Sequence, residues 1–187
     1  MSRKATSAMK MINSMFEAEC MDAKELSAKA KMLLGSYRHV CWASIGFCRV
    51  GLEEKYMICD EDIDRALSYL VEFSPREDKR VFESNLKALF DSKWMMELVD
   101  DSMIQVKEFP DMGDVYFDLL SKFYLSKFKY SENDMLEMLN MERSTYYDRK
   151  KEAVLVFAWA LWGTVLPKTL FMIEDVDQDL DDFDSPD

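Results

Sequence analysis

The sequence predicts an all-α fold, and three observations predict it. Apolar residues recur at helical spacing along most of the chain, sustained strand alternation is absent, and only five glycines and four prolines interrupt 187 residues. Hydrophobic residues make up 49% of the chain, enough to build a core for one helical domain or two small ones. The 15 methionines and 12 phenylalanines supply flexible and bulky material for that core.

The first helix is expected from near Ser7 to Cys20. Asp22, with Glu25 three residues on, makes a capping-box-like start for a second helix. In that helix Leu26, Ala30, Leu33, Leu34, Tyr37, Val40 and Cys41 keep helical spacing, and Gly46 and Gly51 bracket its end. Asp60 or Asp62 caps a third helix, with Ile63, Ala66, Leu67, Leu70 and Val71 along one face. Ser74-Pro75-Arg76-Glu77 reads as the clearest start signal in the chain, an N-cap Ser, a Pro at the first helical position and a Glu placed to bond back. The helix it opens carries Val81, Phe82, Leu86, Leu89 and Phe90 and ends near Asp91. A fifth helix follows through WMMELVDDSMIQV.

Phe109-Pro110-Asp111-Met112-Gly113 is the one obvious break, and it suggests three regions. Residues 1–110 form an N-terminal helical region for oligomerisation or partner binding. Residues 111–168 hold a helix, DVYFDLLSKFYLSKF, and a helix-turn-helix unit. Residues 169–187 are an acidic tail expected to be disordered.

The formal net charge of −12 is unevenly placed. Residues 174–187 hold eight acids and no base, which leaves 24 basic and 28 acidic side chains, a net −4, on the other 173 residues. The tail reads either as a solvated terminus or as a competitor with DNA for a basic helix. Segment 118–152 has seven charges of each sign and is neutral.

Cys20, Cys41, Cys48 and Cys59 are spaced by 21, 7 and 11 residues, without CxxC or CxxH, and His39 is the single histidine. No metal site is expected from this pattern; buried free cysteines in a reducing cytoplasm are. The N-terminus lacks the apolar core and cleavage site of a signal peptide. The uncharged run from Ala153 to Pro167 is shorter than the ~20 residues that span a bilayer. It is apolar all round, so it must be covered on every side, by the rest of the chain or by a second subunit.

Tyr130 to Gly163, YSENDMLEMLNMERSTYYDRKKEAVLVFAWALWG, carries the functional signal. Ser131 can cap a short helix whose first turn is acidic, with Met135, Leu136 and Leu139 inward. Asn140 sits in the turn, where a left-handed residue is often required, and Met141 pins the turn to the core. A second helix begins at Glu142 or Arg143 and runs to about 157. Its inner side holds Tyr146, Ala153, Val154 and Phe157; Arg143, Ser144, Tyr147, Asp148 and Lys151 project the other way. Such hydroxyls and cations can bond base edges or phosphates, and Asp148 can accept from cytosine. Lys150 and Lys151 are expected on phosphates, and Lys127 and Lys129 are placed to clamp the backbone.

These residues resemble the C-terminal helix-turn-helix of ArpU-type phage and prophage transcriptional regulators, which is similar to region four of sigma factors. Arg143-Ser144-Thr145-Tyr146-Tyr147 and Lys150-Lys151-Glu152-Ala153 match the pattern of that family's recognition helix. The resemblance covers about 115–165. It implies a cytoplasmic, sigma-like regulator of phage genes in a bacterial host, with double-stranded DNA and RNA polymerase as candidate partners and Thr145 counted among the contact residues. Glu142 departs from the Ser or Thr that commonly caps such a helix, and Asp148 places an acid on its face.

Two other readings stay open. The unit can be a helix-turn-helix used for protein contacts, or an ordinary helical hairpin. The acidic charge also suits a phage-encoded inhibitor that binds a host nucleic-acid-binding protein by presenting carboxylates where DNA presents phosphates. Specific helix-turn-helix binders usually pair on half-sites, so a homodimer is expected, through the N-terminal helices or through 153–166. Nothing suggests an enzyme or a cofactor: no P-loop, GxGxxG, HExxH or Ser/His/Asp order occurs. Glu53/Glu54 and Asp100/Asp101 are adjacent acids that point to different sides of a helix.

Overall fold

In a computed structural model of the full chain, residues 6–48, 60–92 and 94–172 are described, and their regular structure is entirely helical. α1 (Ser7–Ala18) is capped by the Thr6 hydroxyl, which accepts from the Met9 amide at 3.0 Å. Cys20, at φ 54°, turns the chain into α2 (Ala23–Cys48). The Asp22 carboxylate accepts from the amides of Lys24 and Glu25, so half of the expected capping box forms; the Glu25 side chain pairs instead with Lys29 at 3.5 Å.

α3 spans Asp60–Glu72 and buries Ile63, Ala66, Leu67 and Leu70, while Val71 stays exposed. Lys29 of α2 is buried, and its ammonium donates to the Val71 carbonyl at 2.8 Å, where a cation meets the negative end of α3. Ser74-Pro75 does not start a helix. It makes a turn closed by Glu77 N to Ser74 O at 3.0 Å, and the Tyr69 hydroxyl engages the Glu77 carboxylate. The N-cap is Asp78, four residues later, opening α4 (Lys79–Asn85). The expected single fourth helix is two pieces, α4 and α5 (Lys87–Phe90), that meet at Leu86. Phe82, Leu86, Leu89 and Phe90 are buried and Val81 is exposed.

α6 (Trp94–Lys107) and α7 (Gly113–Leu120) are joined through the Pro110 break, with Asp111 at φ 62°. A Cβ on Gly113 would lie 2.0 Å from the Lys107 carbonyl oxygen, so only glycine lets the two backbones approach this closely. α7 runs on into a π-turn at Ser121–Leu125. α8 (Glu132–Met138) and α9 (Arg143–Ala160) follow, and α9 continues through a second π-turn at Leu161–Val165 to Met172.

The break at 109–113 is a turn inside one packed body rather than a boundary between regions. A single hydrophobic cluster joins Ile12 and Phe16 of α1, Leu33 and Leu34 of α2, Leu67 and Leu70 of α3, and Val99 of α6 to Phe157 and Leu161. α9 is its axis, packed on α1, α2, α6 and α7. The run 153–166 is therefore covered within the chain, and Trp162 donates from Nε1 to the Leu70 carbonyl at 3.0 Å. Trp159, Gly163 and Thr164 of the run are half-buried. The unbroken 30-residue helix Arg143–Met172 is longer than its uncharged run and reaches membrane-spanning length, but its apolar stretch is packed mostly against the rest of the chain. Cys20 is exposed, against the expectation of burial. Cys59 and the tail beyond Met172 lie outside the described residues, as do the side chains of Cys41 and Cys48.

Candidate nucleic-acid interface

The two-helix unit forms as its local chemistry dictates. Ser131 and Asp134 make a reciprocal capping box: Ser131 N donates to the Asp134 carboxylate at 2.8 Å, and Asp134 N to the Ser131 hydroxyl at 3.2 Å. Met135 is buried, and Leu136, Leu139 and Met141 pack half-buried on the core. Asn140, at φ 48°, takes the left-handed turn position. Met141 N donates to Leu136 O at 3.1 Å and closes the turn. Helix α9 starts at Arg143, and its N-cap Glu142 makes no side-chain capping bond.

The faces of α9 separate as the 3.6-residue repeat predicts. Tyr146, Ala153, Val154 and Phe157 are buried; Arg143, Ser144, Tyr147 and Lys151 are exposed; Thr145 and Asp148 are intermediate. Lys127 and Lys129 are exposed on the segment that leads into α8.

Two placements change the expected chemistry. Lys150 is half-buried rather than displayed for phosphates: its ammonium lies 3.2 Å from the centre of the Phe123 ring and within 6 Å of the Tyr124 and Tyr146 rings. Burial pushes it down to about 8, with Glu132 opposing the shift and Lys31 of α2 adding to it. Arg143 and Tyr147 share one carboxylate. Glu132 of α8 accepts from the Tyr147 hydroxyl at 2.6 Å and pairs with Arg143 Nε at 2.7 Å. The Tyr147 hydroxyl and then the Arg143 cation hold the Glu132 carboxyl below its ordinary range. This acid, read from sequence only as a favourable helix-start charge, braces α8 to α9 and occupies two groups of the outer face. Its position eleven residues before Arg143, across the turn, was the available signal.

Glu152 was also missed as a site. It is 1% exposed, yet its carboxylate is fully engaged by Tyr116 of α7 at 2.8 Å, Arg149 at 2.6 Å and the Thr6 hydroxyl at the start of α1. A buried carboxylate needs this many donors. Burial, then the Glu152 contact, pushes the Tyr116 phenol up. An acid at the edge of an apolar run with Arg three residues earlier was the sequence sign of this network. The polar half of α9 is thus tied to the body immediately below its outer face. Comparison with family models, curated proteins and solved structures finds no match to this chain.

Proposed function

We propose that this chain is a DNA-binding transcriptional regulator of phage type that reads duplex DNA with the first turns of α9. One observation carries the reading: a capped helix, a left-handed turn at Asn140 and a second helix with Arg143, Ser144, Tyr147 and Lys151 all exposed over a buried inner face. Lys127 and Lys129 supply backbone contacts, Thr145 and Asp148 flank the reading surface, and Lys150 contributes from a half-buried position. A homodimer placing two such helices on adjacent half-sites belongs to the proposal, joined through the N-terminal helices or through the half-buried residues of 153–166. RNA polymerase is the natural protein partner of a sigma-like unit, and the bacterial cytoplasm is the compartment in which both would be met.

Retardation of duplex phage DNA at two salt concentrations tests the reading. Binding should weaken steeply as salt rises, because phosphate contacts release counterions. No retardation at either concentration would overturn it.

One observation favours a second reading, an inhibitor or adaptor that binds a host nucleic-acid-binding protein. Glu132 already neutralises Arg143 and engages Tyr147, so the outer face carries its own carboxylate. Capture of such a protein by the parent chain, together with absence of DNA retardation, would select it.

A further inference from the structure

The segment approaching α8 forms one wall of a cavity of about 450 Å3 whose other wall is α2. That size lies within the range of small-ligand sites, about 300–1,000 Å3. Arg38 and His39 reach it from α2 and Lys129 from the opposite wall, while the rings of Phe123, Tyr124 and Tyr130 complete it. No carboxylate is found among the described residues that line it; Glu83 faces the rim, 3.9 Å from His39 Nδ1. The three rings are half-buried, so aromatic surface remains that the core does not cover.

The site is built rather than accidental in two respects. Arg38 is already ordered, donating from Nε to the Ser126 carbonyl at 2.8 Å and from Nη2 to the Phe123 carbonyl, so little freedom is left to lose on binding. Gly35, on the α2 wall, leaves open space: a Cβ there meets nothing within 4 Å. Cations gathered on two walls call for an anion, and clustered rings call for a flat apolar partner. One ligand class satisfies both.

We propose that this cavity binds a nucleoside phosphate, with the phosphate on Arg38, His39 and Lys129 and the base packed among the Phe123, Tyr124 and Tyr130 rings, the first two of which meet edge to face. The nucleotide can be free or a unit of a single strand, since the recognised chemistry is the same. The assignment shares Lys129 with the duplex-binding reading but none of the α9 side chains.

Calorimetric titration of the full chain with AMP, ATP, adenosine, inorganic phosphate and a short single-stranded oligothymidylate tests it. AMP or ATP should bind saturably, with adenosine and phosphate each at least about ten-fold weaker, because each lacks half of the recognition. Gly35→Leu fills the open space while favouring the helix, and His39→Glu places a carboxylate on an exposed rim residue. Both should weaken nucleotide binding by about ten-fold or more, with unchanged circular dichroism. Oligothymidylate that binds tighter than AMP, and loses that binding in Gly35→Leu, supports the same site with a strand as the source.

The proposal is overturned if no nucleotide binds by roughly 1 mM, if phosphate alone binds as tightly as AMP, or if Gly35→Leu binds like the parent. Gly35→Leu should retard duplex DNA as the parent does, so loss of the pocket and loss of the duplex reading give different results.

Discussion

Helix α9 carries two Arg–Glu–Tyr groupings, and they are opposites. Near its start, Arg143 and Tyr147 meet Glu132 at the surface, across the turn from α8. Two turns on, Arg149 and Tyr116 meet Glu152 in the interior, with Thr6 as an extra donor. The chemistry is similar and the surroundings differ. Water can replace any partner of the outer carboxylate, so that grouping is free to exchange its ligands. Nothing replaces the partners of the inner one, so it fixes structure. The first is suited to exchanging partners and the second to holding α9 still.

The largest expected effect lies furthest inside. Trp162→Ala should cost about 3–5 kcal/mol of stability, since it empties a packed site and strands the Leu70 carbonyl. Denaturant unfolding measures the loss, and light scattering should show an unchanged particle mass. A change in mass instead would mean that Trp162 serves a subunit contact.

Next comes the buried grouping. Glu152→Ala should destabilise by about 3 kcal/mol, because Arg149 and Tyr116 lose their buried acceptor. An unchanged denaturation midpoint would erase the distinction between the two carboxylates.

The outer grouping should respond in binding and not in folding. Arg143→Ala should weaken duplex DNA binding about ten-fold or more and relax preference at one base pair. Glu132→Gln should instead strengthen binding a few-fold, since it frees Arg143 and removes a charge that repels phosphate. Both variants should melt with the parent.

The smallest effect concerns Lys150. Its ordinary value is 10.5 and burial lowers it to about 8, so between these values the unfolded chain binds more protons than the folded one. In that window the Lys150 contribution to stability rises with pH, and it is flat below about 8. Lys150→Met should remove this dependence. Any DNA-affinity difference between parent and Lys150→Met at pH 7 should shrink by pH 9. A difference that persists at pH 9 would show that the ammonium stays charged.

Local signals were legible where one short segment decides the outcome. The Ser131 cap, the left-handed Asn140 and the start of α9 near Arg143 all rest on contacts within a few residues. The inner and outer faces of α9 followed from periodicity alone. Legibility failed where distant residues compete. Ser74 loses the helix start because Tyr69 claims Glu77 and Asp78 offers a cap with no competing partner. Lys150 looked like its neighbour Lys151, and only the approach of Phe123 and Tyr124 from the preceding segment separates them. The break at 109–113 looked like a boundary because sequence records the turn but not that α6 and α7 both pack on α9. Glu132 and Glu152 read as ordinary helix acids, since their tyrosine partners lie 15 and 36 residues away in sequence.

That α9 is also the axis of the core has a consequence for transplantation. Many helix-turn-helix units behave as cassettes that can be lifted out and fused elsewhere. Here a fragment beginning at residue 111 would keep Arg143 to Lys151 and lose α1, α2 and α6, which cover the lower half of the same rod. Ala153 to Leu166 would then face water, and Glu152 would lose the hydroxyl of Thr6. Such a fragment should aggregate rather than bind. Altering the outer face of α9 therefore means exchanging side chains on the spindle in place, never moving the spindle itself.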